Sequence, residues 1–146
     1  MNIKQALKLK NKLVKLNEEN YRKLAEYNST EEGTSRPYEP KDSLASWNQG
    51  VKDLVELKTR IHRANAPVYD KIFKLAELKS MVSKLKSMNC QEGKQSSRGR
   101  WGENQEPVVY VAEIGVLQRD EMVKTLETQI EQIQDELDIH NANTEI

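Results

Sequence analysis

The sequence predicts a mainly α-helical protein, an elongated antiparallel bundle of about four long helices with a small β-hairpin insertion before the last helix. Three observations support this fold class. The 146 residues include only 6 Gly and 4 Pro, so few residues interrupt helices. Apolar residues recur at spacings of three and four over four long segments. A short run of β-branched residues precedes the last of these segments.

The apolar content decides how these helices should pack. Only 36% of the residues are apolar, so each helix carries a narrow apolar seam and not a broad face. Narrow seams bury well when helices pair as coiled coils. We therefore expect a homo-oligomer that shares seams between subunits. Residues 1–146 are expected to form one helical domain, with a loop at 29–42 and a loop or hairpin at 90–113 as insertions.

The first predicted helix covers residues 2–28. Its stripe consists of Ile3, Leu7, Leu9, Leu13, Leu16, Leu24 and Tyr27. The loop 29–42 follows, because Gly33, Pro37 and Pro40 disfavour a helix there. Asp42 or Ser43 is then expected to cap the second helix.

The second predicted helix covers residues 43–66 and ends before Pro67. Its three-four stripe consists of Leu44, Trp47, Val51, Leu54, Lys58, Ile61 and Asn65. Polar residues on such a seam usually set register or mark a fraying end. The third helix is predicted over 68–89. Its stripe consists of Ile72, Leu75, Leu78, Val82, Leu85 and Met88.

The region 90–113 breaks the helical pattern. Residues 108–111 read Val-Val-Tyr-Val and predict a strand, whose expected partner is an extended piece within 95–101. The last helix is predicted over 115–141. Its stripe consists of Val116, Val123, Leu126, Ile130, Ile133, Leu137 and His140.

The balance of 23 basic and 23 acidic residues hides a segregation of charge. Residues 1–28 hold seven basic and three acidic side chains, and residues 70–103 hold eight against four. Residues 113–146 hold nine acidic side chains against two basic ones. Opposite charge favours contact between the first and last helices, within or between subunits, although solvated helix faces explain the pattern equally well. The zero net charge argues against binding of long nucleic acids.

Several other classes are disfavoured by composition. No apolar run approaches the ~20 residues of a membrane-spanning helix, and the first residues lack the apolar stretch of a secretory signal. We therefore expect a cytoplasmic protein. Cys90, the single cysteine, has no adjacent His pattern, and no nucleophile or zinc-protease motif occurs. We expect no enzymatic activity and no cofactor.

Two helix ends share the pattern Ile-His-x-Ala-Asn, at residues 61–65 and 139–143, and contain both histidines of the chain. In an up-down-up-down bundle these ends lie together. One interpretation is helix termination, with Asn in the left-handed conformation and His near the helix dipole. A second is a polar pocket. Its residues would be Arg60, His62, Arg63, Asn65, His140, Asn141 and Asn143. A third is a metal site on His62 and His140, for which Asp70 and Asp138 are possible further ligands. Nothing in the sequence fixes these carboxylates beside the histidines, so no metal is expected.

A basic aromatic segment at residues 95–102 is the other candidate site. Its ligand-binding candidates are Ser97, Arg98, Arg100 and Trp101. Arg forks match phosphate or carboxylate oxygens, and an indole can stack on a base. No phosphate-binding glycine motif accompanies them, so a solvated loop with its Trp tucked against the bundle is the competing interpretation.

The order of these features resembles the septicolysin-like family of small, largely uncharacterised bacterial proteins. The resemblance rests on the basic first helix and on five further stretches: the acidic, Pro-containing loop from 31 to 42, the helix end at 60–65, Ser97-Arg98, the Val-rich strand, and the final stretch 137–146. Ala142 stands where the family usually has Trp, and the segment from Arg100 to Glu106 is longer and richer in Gly. The resemblance implies a helical, oligomer-forming protein with no established catalytic activity.

The leading functional hypothesis is a non-enzymatic homo-oligomer that sequesters or senses a small anionic ligand, such as a nucleotide signal. These residues are compatible with a phage-encoded inhibitor of host signalling, and equally with a housekeeping protein. One alternative is a structural or protein-interaction role for the helix stripes. Another is the membrane-acting, haemolysin-like activity that the family name implies, which the lack of a membrane-inserting segment disfavours.

Overall fold

The computed structural model describes residues 1–95 and 106–146. In these residues the chain is mainly helical, with four long helices and a two-stranded antiparallel sheet before the last helix, as predicted. The elements are α1 (Ile3–Tyr27), α2 (Pro40–Ala64), a short 3-10 helix (Ala66–Val68), α3 (Tyr69–Ser87), β1 (Gly93–Gln95), β2 (Val108–Tyr110) and α4 (Val116–Asn143).

The described residues divide into two compact units. Unit 1 comprises Met1–Tyr69 and Leu137–Ile146, and unit 2 comprises Asp70–Glu136. The single domain expected from the sequence stays a prediction, and each unit is described by itself.

Helix α1 begins with a capping box at Asn2 and Gln5. The Asn2 side chain accepts a hydrogen bond from the Gln5 backbone N–H (2.9 Å), and the Gln5 side chain accepts one from the Asn2 N–H (3.0 Å). These bonds satisfy N–H groups that have no partner within the helix. The helix start is therefore fixed by local sequence.

Helices α1 and α2 pack antiparallel in unit 1. Ala6 packs in one buried cluster with Leu57 and Ile61 near the start of α1. Further along α1, the Tyr21 ring lies 5.2 Å from the Trp47 ring, between centroids. The start of α1 thus contacts the end of α2, and the end of α1 contacts the start of α2. The two helices therefore form an antiparallel hairpin.

The predicted stripe of α2 faces α1 only in part, because Ile61 and Trp47 contact α1 whereas other members of the stripe are exposed. The buried residues of α2 are Pro40, Ser43, Gly50, Leu57 and Ile61. The predicted Leu44, Val51 and Lys58 each follow a buried residue by one position and are exposed. Small residues such as Ser43 and Gly50 let two helix backbones approach closely. The predicted stripe was chosen from the spacing of large apolar residues and so did not include them. The prediction was therefore wrong by one position at Leu44, Val51 and Lys58, whereas Ile61 is buried as predicted.

The start of α2 also differs from the prediction. The helix begins at Pro40, so a proline lies in its first turn. Glu39 occupies the N-cap position without a side-chain hydrogen bond. Proline is favoured at the first helical position because its missing N–H would have no partner there. Asp42 and Ser43, the predicted caps, lie inside the helix.

The end of α2 is right-handed. Asn65 caps the helix with φ −84° and ψ −4°, so the expected left-handed conformation at this residue was wrong. A 3-10 turn containing Pro67 continues directly from it and buries Val68. Because the chain passes straight into this turn, the helix end needs no reversal of backbone handedness.

The last residues of the chain pack against the start of α1. The Ile3 N–H donates to the Thr144 carbonyl (3.0 Å), and the Ile146 N–H donates to the Met1 carbonyl (2.9 Å). The Asn2 side chain donates to the Ala142 carbonyl (3.0 Å). These bonds close unit 1 between the two ends of the chain.

Unit 2 contains α3, the small sheet and most of α4. Lys71 pairs with Glu136, and Lys86 Nζ lies 2.7 Å from Glu127 Oε1, so α3 and α4 run antiparallel here. The apolar residues that it buries are Leu78, Val82, Cys90, Val123 and Ile133, four of them on the predicted stripes.

The small sheet pairs Gly93 with Tyr110 and Gln95 with Val108. The described partner strand thus begins earlier than the predicted 95–101, which mostly lies outside the described residues. Gly93 has φ +89°, a backbone conformation that favours glycine, so the chain turns into β1 at this residue.

Candidate functional site

The two Ile-His-x-Ala-Asn helix ends lie at the same end of unit 1. The end of α2 packs on the start of α1 through Ile61 and Ala6. The residues after α4 bond to that same start of α1, through Ile3 and Thr144. All seven predicted pocket residues therefore belong to one end of one compact unit, as the sequence predicted. We call them the helix-end cluster: Arg60, His62, Arg63, Asn65, His140, Asn141 and Asn143.

Two members of the helix-end cluster contain buried polar atoms without a hydrogen-bond partner among the described residues. They are Asn65 Oδ1 and His140 Nε2. The other ring nitrogen of His140, Nδ1, lies 3.1 Å from the Thr144 hydroxyl. A buried polar atom that lacks a partner is costly, so each of these two atoms lowers the stability of this end of unit 1.

His62 is engaged by a neighbouring aromatic residue instead. The Tyr69 hydroxyl donates to the His62 carbonyl oxygen (2.9 Å) and also contacts the ring nitrogen Nδ1. The two rings lie 5.0 Å apart. His62 therefore helps to fix the turn after α2, a structural role that the sequence pattern did not indicate.

A cavity of about 330 Å³ lies beside the end of α4. Its lining residues are Lys4, Leu7, Lys8, Asp138 and Asn141. Two lysines, one aspartate and one asparagine contribute to the lining, although most of the lining surface is apolar. We call it the lysine cavity. Lys4 and Lys8 are not among the residues predicted for this site, although two lysines four residues apart lie on one helix face.

Arg60 lines a different cavity of about 310 Å³. Asp53 and Glu56 also line it, so two carboxylates share the surroundings of the Arg60 guanidinium. Arg63 and Asn143 are exposed. The helix-end cluster thus does not form a single pocket among the described residues.

The basic aromatic segment, with Ser97, Arg98, Arg100 and Trp101, lies outside the described residues. Its predicted role in ligand binding stays a prediction.

A groove runs along one face of the α1–α2 hairpin and has a volume of about 460 Å³. We call it the hairpin groove, and it is lined by Val14, Asn17, Glu18, Tyr21, Trp47, Val51 and Leu54. Its lining is apolar for the most part, but Asn17 Oδ1 is a third buried atom without a partner in the described chain. The sequence had placed Trp47, Val51 and Leu54 on one stripe, and the structure shows that this stripe lines the groove.

Unit 2 has a cavity of about 450 Å³ between α3 and α4. It is lined by Met81, Gln118, Glu121, Met122, Thr125 and Leu126. Methionine side chains adapt their shape readily, so this lining suits apolar contacts more than the recognition of charge.

Two exposed ion pairs shift the pKa values of their members. The ammonium of Lys23 accounts for a lowered pKa of the Glu19 carboxyl, since it donates a hydrogen bond to it. The carboxylate of Glu136 raises the pKa of Lys71 in the same way. Within residues 1–95 and 106–146, no group of three or more His, Cys, Asp or Glu side chains could hold a metal ion.

No helix in the described part of the chain is both long and apolar enough to cross a membrane. Comparison with models of protein families gave no match, and comparisons with curated proteins and with solved structures gave none either. The resemblance to the septicolysin-like family stays a prediction.

Proposed function

We propose that this chain is a non-enzymatic, homo-oligomeric, cytoplasmic protein that sequesters or senses a small anionic ligand, such as a nucleotide signal. One observation carries the proposal. The fold brings the two similar helix ends to one end of unit 1, beside a cavity with two lysines, and leaves Asn65 Oδ1 and His140 Nε2 buried without partners in the described chain.

The chemistry of these side chains suits such a ligand. The ammonium groups of Lys4 and Lys8 attract phosphate or carboxylate oxygens. The amide of Asn141 both donates and accepts hydrogen bonds, as a polar ring or sugar requires. The lysine cavity, at about 330 Å³, is in the range of small-molecule pockets, about 300–1,000 Å³.

The basic aromatic segment supplies the second part of the proposal. Arg98 and Arg100 would add bidentate anion contacts, and Trp101 would stack on a base. The resemblance to the septicolysin-like family supports an oligomer without catalysis, because that family has no established activity.

A thermal-shift screen followed by calorimetry tests ligand binding. The probes are adenosine and guanosine mono- and triphosphates, cyclic dinucleotides and inorganic phosphate. We expect at least one nucleotide to raise the melting temperature of the wild type. The Lys4→Ala/Lys8→Ala variant and the Arg98→Ala/Arg100→Ala variant should each weaken this binding.

The matched control is Lys12→Ala/Lys15→Ala, which removes the same charge from exposed positions of α1 that do not line the lysine cavity. It should bind like the wild type. Absence of a shift with every probe, or equal weakening by the control, would contradict the proposal.

The hairpin groove favours a second candidate function, a structural or protein-interaction role. Its exposed apolar side chains, including Val14, Tyr21 and Val51, are typical of a surface that packs against another helix. This candidate predicts that deletion of residues 95–106 leaves activity intact, whereas polar substitutions at Leu126 or Ile130 abolish it.

The haemolysin-like alternative predicts leakage of liposomes at micromolar protein. Absence of leakage would contradict that alternative.

A further inference from the structure

The two walls of the lysine cavity are held together by hydrogen bonds of the protein itself. One wall belongs to the start of α1 and the other to the end of α4. Asn2 and Ile3, just before the α1 wall, donate to the carbonyl oxygens of Ala142 and Thr144, just after the α4 wall. The cavity is therefore part of the folded unit 1, and a ligand does not have to assemble it.

The charged side chains that line the cavity sum to one positive charge. Lys4 and Lys8 contribute two ammonium groups, and Asp138 contributes one carboxylate. Among the described residues, neither of these two lysines takes part in an ion pair. A ligand with a single negative charge would balance this lining, whereas a phosphate monoester carries about −1.5 to −2 at neutral pH.

Most of the surface that lines the cavity is apolar. Leu7 contributes to the lining and also packs against the buried cluster of α1 and α2. Lysine side chains add apolar methylene stems below their charged ends. An anion without an apolar part would leave this surface in contact with water, whereas a ligand with an apolar body would gain free energy by covering it.

The volume of the cavity limits the size of that apolar body. The cavity measures about 330 Å³, and an engineered apolar cavity of about 150 Å³ holds one benzene molecule. The lysine cavity therefore has room for one ring or a short aliphatic chain together with an anionic head group. Asn141 supplies an amide N–H donor, so a head group with two oxygens has a partner besides the lysines.

We propose that the lysine cavity binds a small monocarboxylate with an apolar body, such as a short-chain aliphatic acid or an aromatic acid. The carboxylate lies between Lys4 and Lys8 and accepts a hydrogen bond from Asn141, and the apolar body lies against Leu7. The inference rests on the proposed function and narrows its small anion to one chemical class. It requires nothing of residues 95–102.

Calorimetry on the full chain at about pH 7, where carboxylic acids are ionised, tests the class of ligand. Hexanoate carries both the charge and the apolar body, acetate carries only the charge, and hexanol carries only the apolar body. We expect hexanoate to bind about ten-fold or more tightly than either, because each buried methylene adds up to about four-fold in affinity. Hexanoate should also bind more tightly than AMP or inorganic phosphate, whose charge exceeds that of the lining.

A pair of lysine variants tests the location of the site. Lys4→Ala/Lys8→Ala should weaken hexanoate binding by about ten-fold, because it removes both attractive charges. Lys12→Ala/Lys15→Ala removes the same charge from positions of α1 that do not line the cavity, and should bind hexanoate like the wild type. Circular dichroism should show equal helicity in the wild type and both variants.

An aspartate variant tests the charge balance in the opposite direction. Asp138→Asn keeps the shape of the side chain and removes the one negative charge of the lining, so we expect hexanoate binding to strengthen by about three-fold. Asp42→Asn is the matched control at an exposed position of α2 and should leave binding unchanged. Weaker binding by Asp138→Asn, or an equal gain in the control, would contradict the proposed balance of charge.

The remaining outcomes separate this inference from the proposed function. Binding of a nucleotide without binding of hexanoate overturns the inference and keeps the proposed function. Binding of hexanoate without binding of any nucleotide supports the inference and removes the nucleotide from the proposed function. Hexanoate binding that Lys4→Ala/Lys8→Ala does not weaken overturns the inference, and failure of every probe to bind overturns both.

Discussion

Asn17 Oδ1 occupies the space in which a side chain at position 50 would begin. A Cβ added to Gly50 would lie 1.9 Å from that oxygen, far inside van der Waals contact. Gly50 is buried in α2 directly opposite Asn17 of α1, so the absence of a side chain at one position makes room for a polar side chain at the other. The two residues act as a pair that sets how closely α1 approaches α2.

This pairing predicts energetic coupling between the two positions. Ala is favoured over Gly in a helix by about 1 kcal/mol, but steric overlap with Asn17 opposes this gain in the wild type. We expect Gly50→Ala to stabilise the protein more in an Asn17→Ala background than in the wild type. Urea unfolding of the four proteins in this cycle measures the coupling, which should be about 0.5–3 kcal/mol for residues in contact. Additive effects would show that the two side chains do not compete for space.

The capping box at the start of α1 predicts a local loss of stability. Asn2→Ala removes the side-chain bond from the Gln5 N–H and the bond to the Ala142 carbonyl. Loss of an N-cap side chain costs about 0.5–2 kcal/mol, so we expect the free energy of unfolding to fall by about that amount. The control is Asn11→Ala, at an exposed position inside α1, which should be neutral or slightly stabilising. Equal destabilisation by both variants would contradict the role of the cap.

The Glu19–Lys23 ion pair predicts a specific titration. Lys23 Nζ lies 3.0 Å from Glu19 Oε1, and the lysine lowers the pKa of the Glu19 carboxyl below its ordinary 4.5. A group with a lowered pKa in the folded state stabilises the protein above its unfolded pKa and loses this contribution as the pH falls. We expect an NMR titration to give Glu19 a pKa below 4.5. Lys23→Gln should return that pKa towards 4.5, whereas Lys12→Gln should leave it unchanged.

Cys90 predicts a simple probe of unit 2. It is the single cysteine of the chain and only 6% exposed, so a thiol reagent should label it slowly in the native protein and rapidly in denaturant. Leu78→Ala removes a buried side chain of the same unit, a change that typically costs about 2–5 kcal/mol, and should accelerate labelling by populating open states. The control is Leu117→Ala, at an exposed position of α4, which should not alter the rate. Rapid labelling of the native wild type would contradict the burial of this thiol.

The helices themselves could be predicted from local sequence with good accuracy. Each long helix begins and ends within about three residues of its predicted bounds, because apolar spacing and breakers such as Pro67 act over a few residues. The Ile-His-x-Ala-Asn pattern that the two helix ends share was informative for the same reason. An even number of antiparallel helices places the ends of α2 and α4 together, which the bonds of Ile3 and Thr144 confirm for unit 1.

The faces of the helices were harder to predict. Hydrophobic spacing assigned Val51 to the seam between helices, whereas the structure buries Gly50 there and leaves Val51 in the hairpin groove. Gly50 does not register in a pattern of apolar residues. Its lack of a side chain matters only because Asn17 of α1 lies opposite it in the folded protein. Similarly, Lys4 and Lys8 resembled any solvated lysines until the end of α4 was placed beside them.

The amino-acid sequence by itself determined which segments are helical, where the small sheet lies and which helix ends resemble each other, because these depend on contacts between near neighbours in the chain. Only the tertiary structure decided which side of α2 faces α1, which polar atoms are buried without partners in the described residues, and which lysines line a cavity with Asn141. Those features depend on the fit between side chains that are distant in sequence. Periodicity within one helix carries no information about such fit.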